Sequence, residues 1–257
     1  MDSLKKQYPD LLLIDGGDTG EGSHPLRAWK TPILWDAMTA MGYDVFALGE
    51  RDIADTTLIW LQKHKRKRPY FVTGNLMRKN SSMHLQKPYV VIKKGKAKIG
   101  IVAAMDTRMQ SRLQGLSLTP VPDILNEAQK YFARKNADFR ILVYHGLISD
   151  AQRLAQERTD FDLILLGHSI GRPMASRIQP NQVPVVGPGD RGRELAWVTL
   201  KKPVTTQPED KVHCTIIPLD DRVAASPRAT PFMRKAKQVG KKIYSRRRTT
   251  RTSRKRR

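Results

Sequence analysis

The sequence predicts an α/β fold: a layered β-sandwich flanked by helices. Three observations lead there. Short apolar runs alternate with helical patterns along the chain. A hairpin pattern sits in the middle, and further β pattern follows late. Four of the apolar runs end at a carboxylate or an imidazole beside a glycine. Leu11–Ile14 enters Asp15-Gly16-Gly17-Asp18, and Val45–Leu48 enters Gly49-Glu50-Arg51-Asp52. Ile141–Tyr144 enters His145-Gly146, and Leu163–Leu166 enters Gly167-His168.

Each element follows from its local pattern. Strands are expected at 10–15, 43–49, 70–75, 139–145 and 161–167, each a short apolar run bounded by Gly, Pro, Asp or Asn. The hairpin is expected over 88–104, turning at the Lys/Gly stretch 93–96. Later strands are expected at 183–187, 194–201 and 212–218. Helices are expected at 27–41, 55–64, 121–136 and 149–158. Pro122-Asp123 suits a first helical turn, and Ser149 suits an N-cap. In the helix at 27–41, Trp29, Ile33, Leu34, Ala37, Met38 and Met41 fall at helical spacing and read as a core stripe.

Charge divides the chain. The net charge is +23, and fifteen Lys and Arg with no acidic residue follow Asp221, leaving about +8 on residues 1–221. Residues 1–221 are therefore expected to form the folded domain. Residues 222–257 are expected to be a basic tail, mostly disordered apart from a short helix at 229–243. Such a tail suits nonspecific binding to nucleic acid or an anionic surface; the bland alternative is a solvated tail without a partner. The one cysteine, Cys214, excludes an internal disulfide and a cysteine-based zinc cluster, and reads as a buried structural thiol. No apolar run reaches the roughly 18–20 residues of a membrane helix. Met1–Lys6 lacks the apolar segment of a secretory signal, so none is expected, and localisation stays open.

Ligands of α/β proteins collect outside the carboxyl ends of strands, where the four polar endings lie. Two carboxylates and two imidazoles make a set of metal ligands. Each has a plainer reading. Asp18 suits a turn, Glu50 and Arg51 suit a local ion pair, and His145 and His168 suit satisfied core histidines. Asp15, Asp52 and Asn75 read as turn or supporting residues. His24, His64, His84 and His213 read as surface residues.

Taken together, these blocks resemble the calcineurin-like metallophosphoesterases of the 5′-nucleotidase type. The resemblance rests on Asp15–Thr19 with Gly22-Ser23, Met41–Gly49, Phe71–Leu76, Pro88–Ala103, Tyr144–Gly146, Gly167–Ser169 and the stretch from Pro184 to Leu195, in that order. It covers about residues 8–202 and implies a metal-dependent hydrolase acting on a nucleotide or another phosphomonoester. It implies a second-metal set of Asp18, Glu50, His145 and His168, with Glu50 where the family has Asn. Arg51 falls where the family has its general-acid histidine, so Asp18 and Arg51 are the candidate catalytic residues. Of the first-metal set only Asp18 is found. The N-terminal strand with Asp-x-His is not seen, and Ile170 stands at the second histidine of the family's Gly-His-x-His block. The expected cofactor is accordingly one divalent ion, zinc, manganese or iron. The alternative is a non-catalytic phosphoesterase-like domain that binds an anionic ligand or nucleic acid. A start at Met1 inside a longer reading frame would account for both the unseen strand and the unseen signal.

Overall fold

The computed structural model describes residues 2–20, 27–63, 69–168, 171–175, 182–201 and 212–254. After a short helix α1 (Asp2–Gln7), two sheets share one buried core. The first holds three parallel strands: β1 (Ile14–Asp15), β2 (Val45–Ala47) and β3 (Tyr70–Val72). The second holds β5 (Tyr89–Lys94), β6 (Ala97–Met105), β8 (Phe139–His145), β9 (Leu163–Leu166), β10 (Met174–Ala175) and β11 (Val185–Gly187), in the order β10-β11-β9-β8-β6-β5. Its β6, β8, β9 and β11 run parallel. Two antiparallel pairs flank the sheets: β4 (Leu76–Arg78) with β7 (Leu116–Leu118), and β12 (Glu194–Leu200) with β13 (Val212–Pro218).

The apolar runs are continuous because both faces of each strand are covered. In β8, Ile141 and Val143 face the core shared with Val45, Ala47 and Val72 of the first sheet. Leu142 and Tyr144 point the other way, into a cluster with Leu125 and Phe132 of α4 (Val121–Arg134) and Leu154 of α5 (Ile148–Glu157). In the first sheet, Phe46 and Phe71 face Trp35 and Met38 of α2 (Arg27–Ala40) and Leu61 of α3 (Asp55–Lys63). The layers are helix, sheet, sheet, helix: the predicted α/β sandwich.

Several details differ from expectation. Trp29 and Leu34 are exposed, 57% and 40%, because the buried face of α2 centres on Thr31, Trp35 and Met38. The Trp35 indole donates to Thr19 Oγ1 at 2.9 Å, tying α2 to the loop after β1. Ser149 lies inside α5; the N-cap is Leu147, with no side-chain cap. Cys214 is half-buried on β13 rather than fully buried. The β4–β7 pair was not anticipated.

Within the segment read as a basic tail, a helix, α6 (Thr230–Arg254), runs past residue 243 and lies against α2. Phe232, Ala236, Val239 and Ile243 recur on its half-buried side. Lys and Arg are good helix formers, and no Gly or Pro follows Gly240 to break the run. No described helix is long and apolar enough to cross a membrane.

Candidate metal centre

Four side chains predicted from separate strand ends come together. Asp18, Glu50, His145 and His168 each offer one ligand atom, and these atoms lie within 4.8 Å of one another. Asp18 follows β1 and Glu50 follows β2, both of the first sheet. His145 ends β8 and His168 follows β9, both of the second. Two members of the cluster therefore come from each sheet, at the seam between them.

Glycine makes the approach possible. A Cβ on Gly49 would collide with the Asp18 carboxylate and come within 2.5 Å of His145 Cε1. A Cβ on Gly16 would stand 2.9 Å from Gly167 Cα, where the loops of the two sheets touch. Gly49 thus leaves the space that Asp18 and His145 fill, while Gly16 and Gly167 let the loops of the two sheets touch.

Within the cluster, Glu50 Oε2 and His145 Nε2 are 2.7 Å apart, and both side chains are buried. Asp18 Oδ1 lies 3.5 Å from His145 Nε2, and His168 Nδ1 lies 3.2 Å from the same nitrogen. Asp18 itself sits in the left-handed region at φ 58. Its Oδ1 accepts from the Arg51 backbone amide at 3.0 Å. Its Oδ2 is buried and has no hydrogen-bond partner. Arg51 Nε lies 3.6 Å from Oδ2 and His168 Nδ1 lies 3.8 Å from it.

The electrostatics follow from crowding. Burial pushes Asp18 above the usual carboxylate range, and the Glu50 charge adds to it, against the pull of His145. Burial raises Glu50 too, but the hydrogen bond and charge of His145 outweigh it and bring Glu50 down to about 2. Burial acts against His145 as well, yet the Glu50 hydrogen bond and the Asp18 charge raise it above the usual imidazole value. Burial and the neighbouring His145 lower His168.

Asp52 does not join the cluster. It is fully buried and clamps the two carboxylate-bearing loops. Its Oδ2 accepts from the Asp18 and Gly49 amides at 2.7 and 2.9 Å. Its Oδ1 accepts from Thr19 Oγ1 and the Gly20 amide at 2.7 and 3.0 Å. Asp15 accepts from the Gly17 amide at 3.0 Å, a turn contact. Buried Asn75 bonds to both the amide and the carbonyl of Met105, which precedes the next loop. His84 is half-buried and bonds the Gly74 carbonyl, and His213 is exposed. His24, His64 and Ile170 lie outside the described residues.

Arg51 is half-exposed at the rim, with Nε 3.9 Å from Glu50 Oε1. A second arginine was not anticipated: Arg112 Nη1 donates to Glu50 Oε1 at 2.8 Å. It closes a 3₁₀ turn, Thr107–Arg112, after β6. The strand pairing held a signal for it, since Met105 at the end of β6 stands opposite His145.

No family model matches the chain. Among curated proteins it is 24% identical over 210 residues to the snake venom 5′-nucleotidase of Gloydius brevicauda. It is 25% identical over 210 residues to the 5′-nucleotidase of Bos taurus. Each alignment takes in 76% of this chain but only 35% and 36% of those relatives, so the chain spans about a third of their length. Among solved structures, the sulfate thiohydrolase SoxB of Thermus thermophilus superposes with a TM-score of 0.72 at 19% identity, over 91% of this chain and 44% of that one. The calcineurin-like phosphoesterase YfkN of Bacillus subtilis gives 0.71 at 19% identity, over 92% and 86%. The 5′-nucleotidase precursor of Thermus thermophilus gives 0.69 at 15% identity, over 91% and 50%. Layer order, strand-end site and these likenesses agree: the chain has the fold of the calcineurin-like metallophosphoesterases, 5′-nucleotidase type.

Proposed function

We propose that this chain is a metal-dependent phosphoester hydrolase acting on a phosphorylated small molecule, a nucleotide or another phosphomonoester, with a reduced site for one divalent ion. The observation that carries the reading is Asp18 Oδ2, a buried carboxylate oxygen with no hydrogen bond, inside a four-ligand cluster. Burying such an atom without a partner is costly, and a cation meets the cost directly. Asp18, Glu50, His145 and His168 would hold it, and their mixed nitrogen and oxygen donors suit zinc, manganese or iron. A bound cation would polarise a phosphoryl oxygen and lower the pKa of its water.

The chain's own residues set the limits. Asp18 and Glu50 orient the cation, Asp52 holds their loops, and Arg51 clamps phosphate at the rim. Arg51 cannot exchange a proton near neutral pH. General acid catalysis contributes roughly 10²–10⁴-fold, so turnover is slow. The position of Arg51 also favours the second reading, a non-catalytic domain that binds an anionic ligand.

The test is metal content after loading with zinc, manganese or iron, followed by assay against nucleoside monophosphates. Slow hydrolysis abolished by Asp18→Ala supports the enzyme. Bound metal and bound phosphate without turnover supports the second reading. No retained metal under any loading rejects the metal centre.

A further inference from the structure

We propose that Arg112 anchors the substrate, forming with Arg51 a two-guanidinium clamp for the non-bridging oxygens of a phosphoryl group. The inference rests on the reading of the centre as a phosphoester site.

Glu50 joins the two arginines. Its Oε2 faces His145, and its Oε1 is met by Arg112 Nη1 at 2.8 Å and approached by Arg51 Nε at 3.9 Å. Each guanidinium turns only part of its donor fork towards the carboxylate. Their side chains are 57% and 46% exposed, beside ligands that are nearly sealed. A cation bound among Asp18 and Glu50 would offset those carboxylates. The two guanidinium charges would then stand uncompensated at the rim, and the planar fork of arginine matches phosphate oxygens.

The turn that carries Arg112 is held firmly. The Asp106 amide donates to the His145 carbonyl at 2.9 Å. The Asp106 carboxylate accepts from the Arg108 amide at 2.9 Å and from Tyr144 at 3.2 Å. Arg108 also bridges Asp106 to Asp150 of α5. Met109 and Leu113 are buried in the core behind the first sheet. Arg112 therefore projects from a loop fixed to the strand end that carries His145, as a preorganised anchor requires.

The competing account is that Arg112 only steadies Glu50. The experiment is titration of inorganic phosphate into the full zinc-loaded chain, for wild type, Arg112→Ala, Arg112→Lys and Arg51→Ala, with zinc affinity measured separately. The clamp requires phosphate binding, measured at saturating zinc, to weaken about tenfold or more in Arg112→Ala, with partial recovery in Arg112→Lys. Unchanged phosphate affinity at saturating zinc overturns it, whether or not zinc affinity falls. If the wild type takes up no zinc and Arg112→Ala still weakens phosphate, the clamp stands and the metal reading fails.

Discussion

Glu50 and His145 stand 95 residues apart in sequence, on different sheets, yet their buried side chains meet at 2.7 Å. Neither sheet by itself holds the other's partner in place. The pair exists only when the two sheets are correctly docked, so it ties local chemistry to the global fold.

Ion binding is the first consequence. One equivalent of zinc or manganese is expected per chain, and Glu50→Ala is expected to weaken binding at least as much as the 10–100-fold typical of a lost outer-shell partner. Loading should raise Tm, since an ion at 100 times its Kd adds about 2.7 kcal/mol. Elemental analysis and a thermal melt with and without ion check both; a melt indifferent to metal contradicts the site.

Asp52→Asn tests the loop clamp. All four donors around Asp52 point at carboxylate oxygens. An amide turns an NH₂ towards donors on one side and leaves them unmatched, at about 1–3 kcal/mol per buried unsatisfied group. Denaturant unfolding should show that loss, and metal affinity should fall although no ligand has been changed.

Cys214 gives the pH dependence. Its partial burial raises the thiol above its usual 9.0. The folded chain therefore holds the proton more tightly than the unfolded one. The small stability this adds is present below the unfolded value and is lost as pH rises through the folded one. Alkylation follows the thiolate, so iodoacetamide should label the native chain more slowly than the urea-unfolded chain at about pH 8. Equal rates contradict the burial.

The basic helix is expected to bind polyanions through charge alone. Replacing Arg246, Arg247 and Arg248 by Gln removes three cations. Duplex DNA binding should weaken, and its salt slope should flatten by up to about 2.7 if all three meet phosphates. Tyr244 is the only aromatic in the stretch after Lys242, so base stacking offers little for sequence preference. Unaltered affinity and slope in this variant remove the helix from nucleic-acid binding.

The sandwich was legible because period and position agreed. The runs at 139–145 and 163–166 are buried on both faces, and a strand so covered has a continuous apolar signature. The four cluster residues were legible for a related reason: a polar side chain at the carboxyl end of such a run points outside the sheet. Arg112 was not. It sits 62 residues from Glu50, in a polar turn with no periodicity, and only the pairing of Met105 with His145 brings that turn to the site. Trp29 was misplaced because apolar spacing identifies a stripe but not its centre. Trp35, whose indole bonds Thr19, shows where the centre lies. The length of α6 was hidden because composition reports net repulsion, while the helix draws on propensity and on contact with α2.

The seam location gives the interior of the sandwich a say in the chemistry. Ala103 and Val143 of one sheet and Ala47 and Val72 of the other lie in the core between the layers, and their bulk sets how far apart the layers stand. That thickness is the gauge on which Asp18 and Glu50 are spaced from His145 and His168. A methyl group added or removed deep in the core is therefore expected to act at a distance, as a change of spacing within the cluster. If the cluster holds a cation as proposed, its affinity becomes a ruler for the packing of the whole molecule.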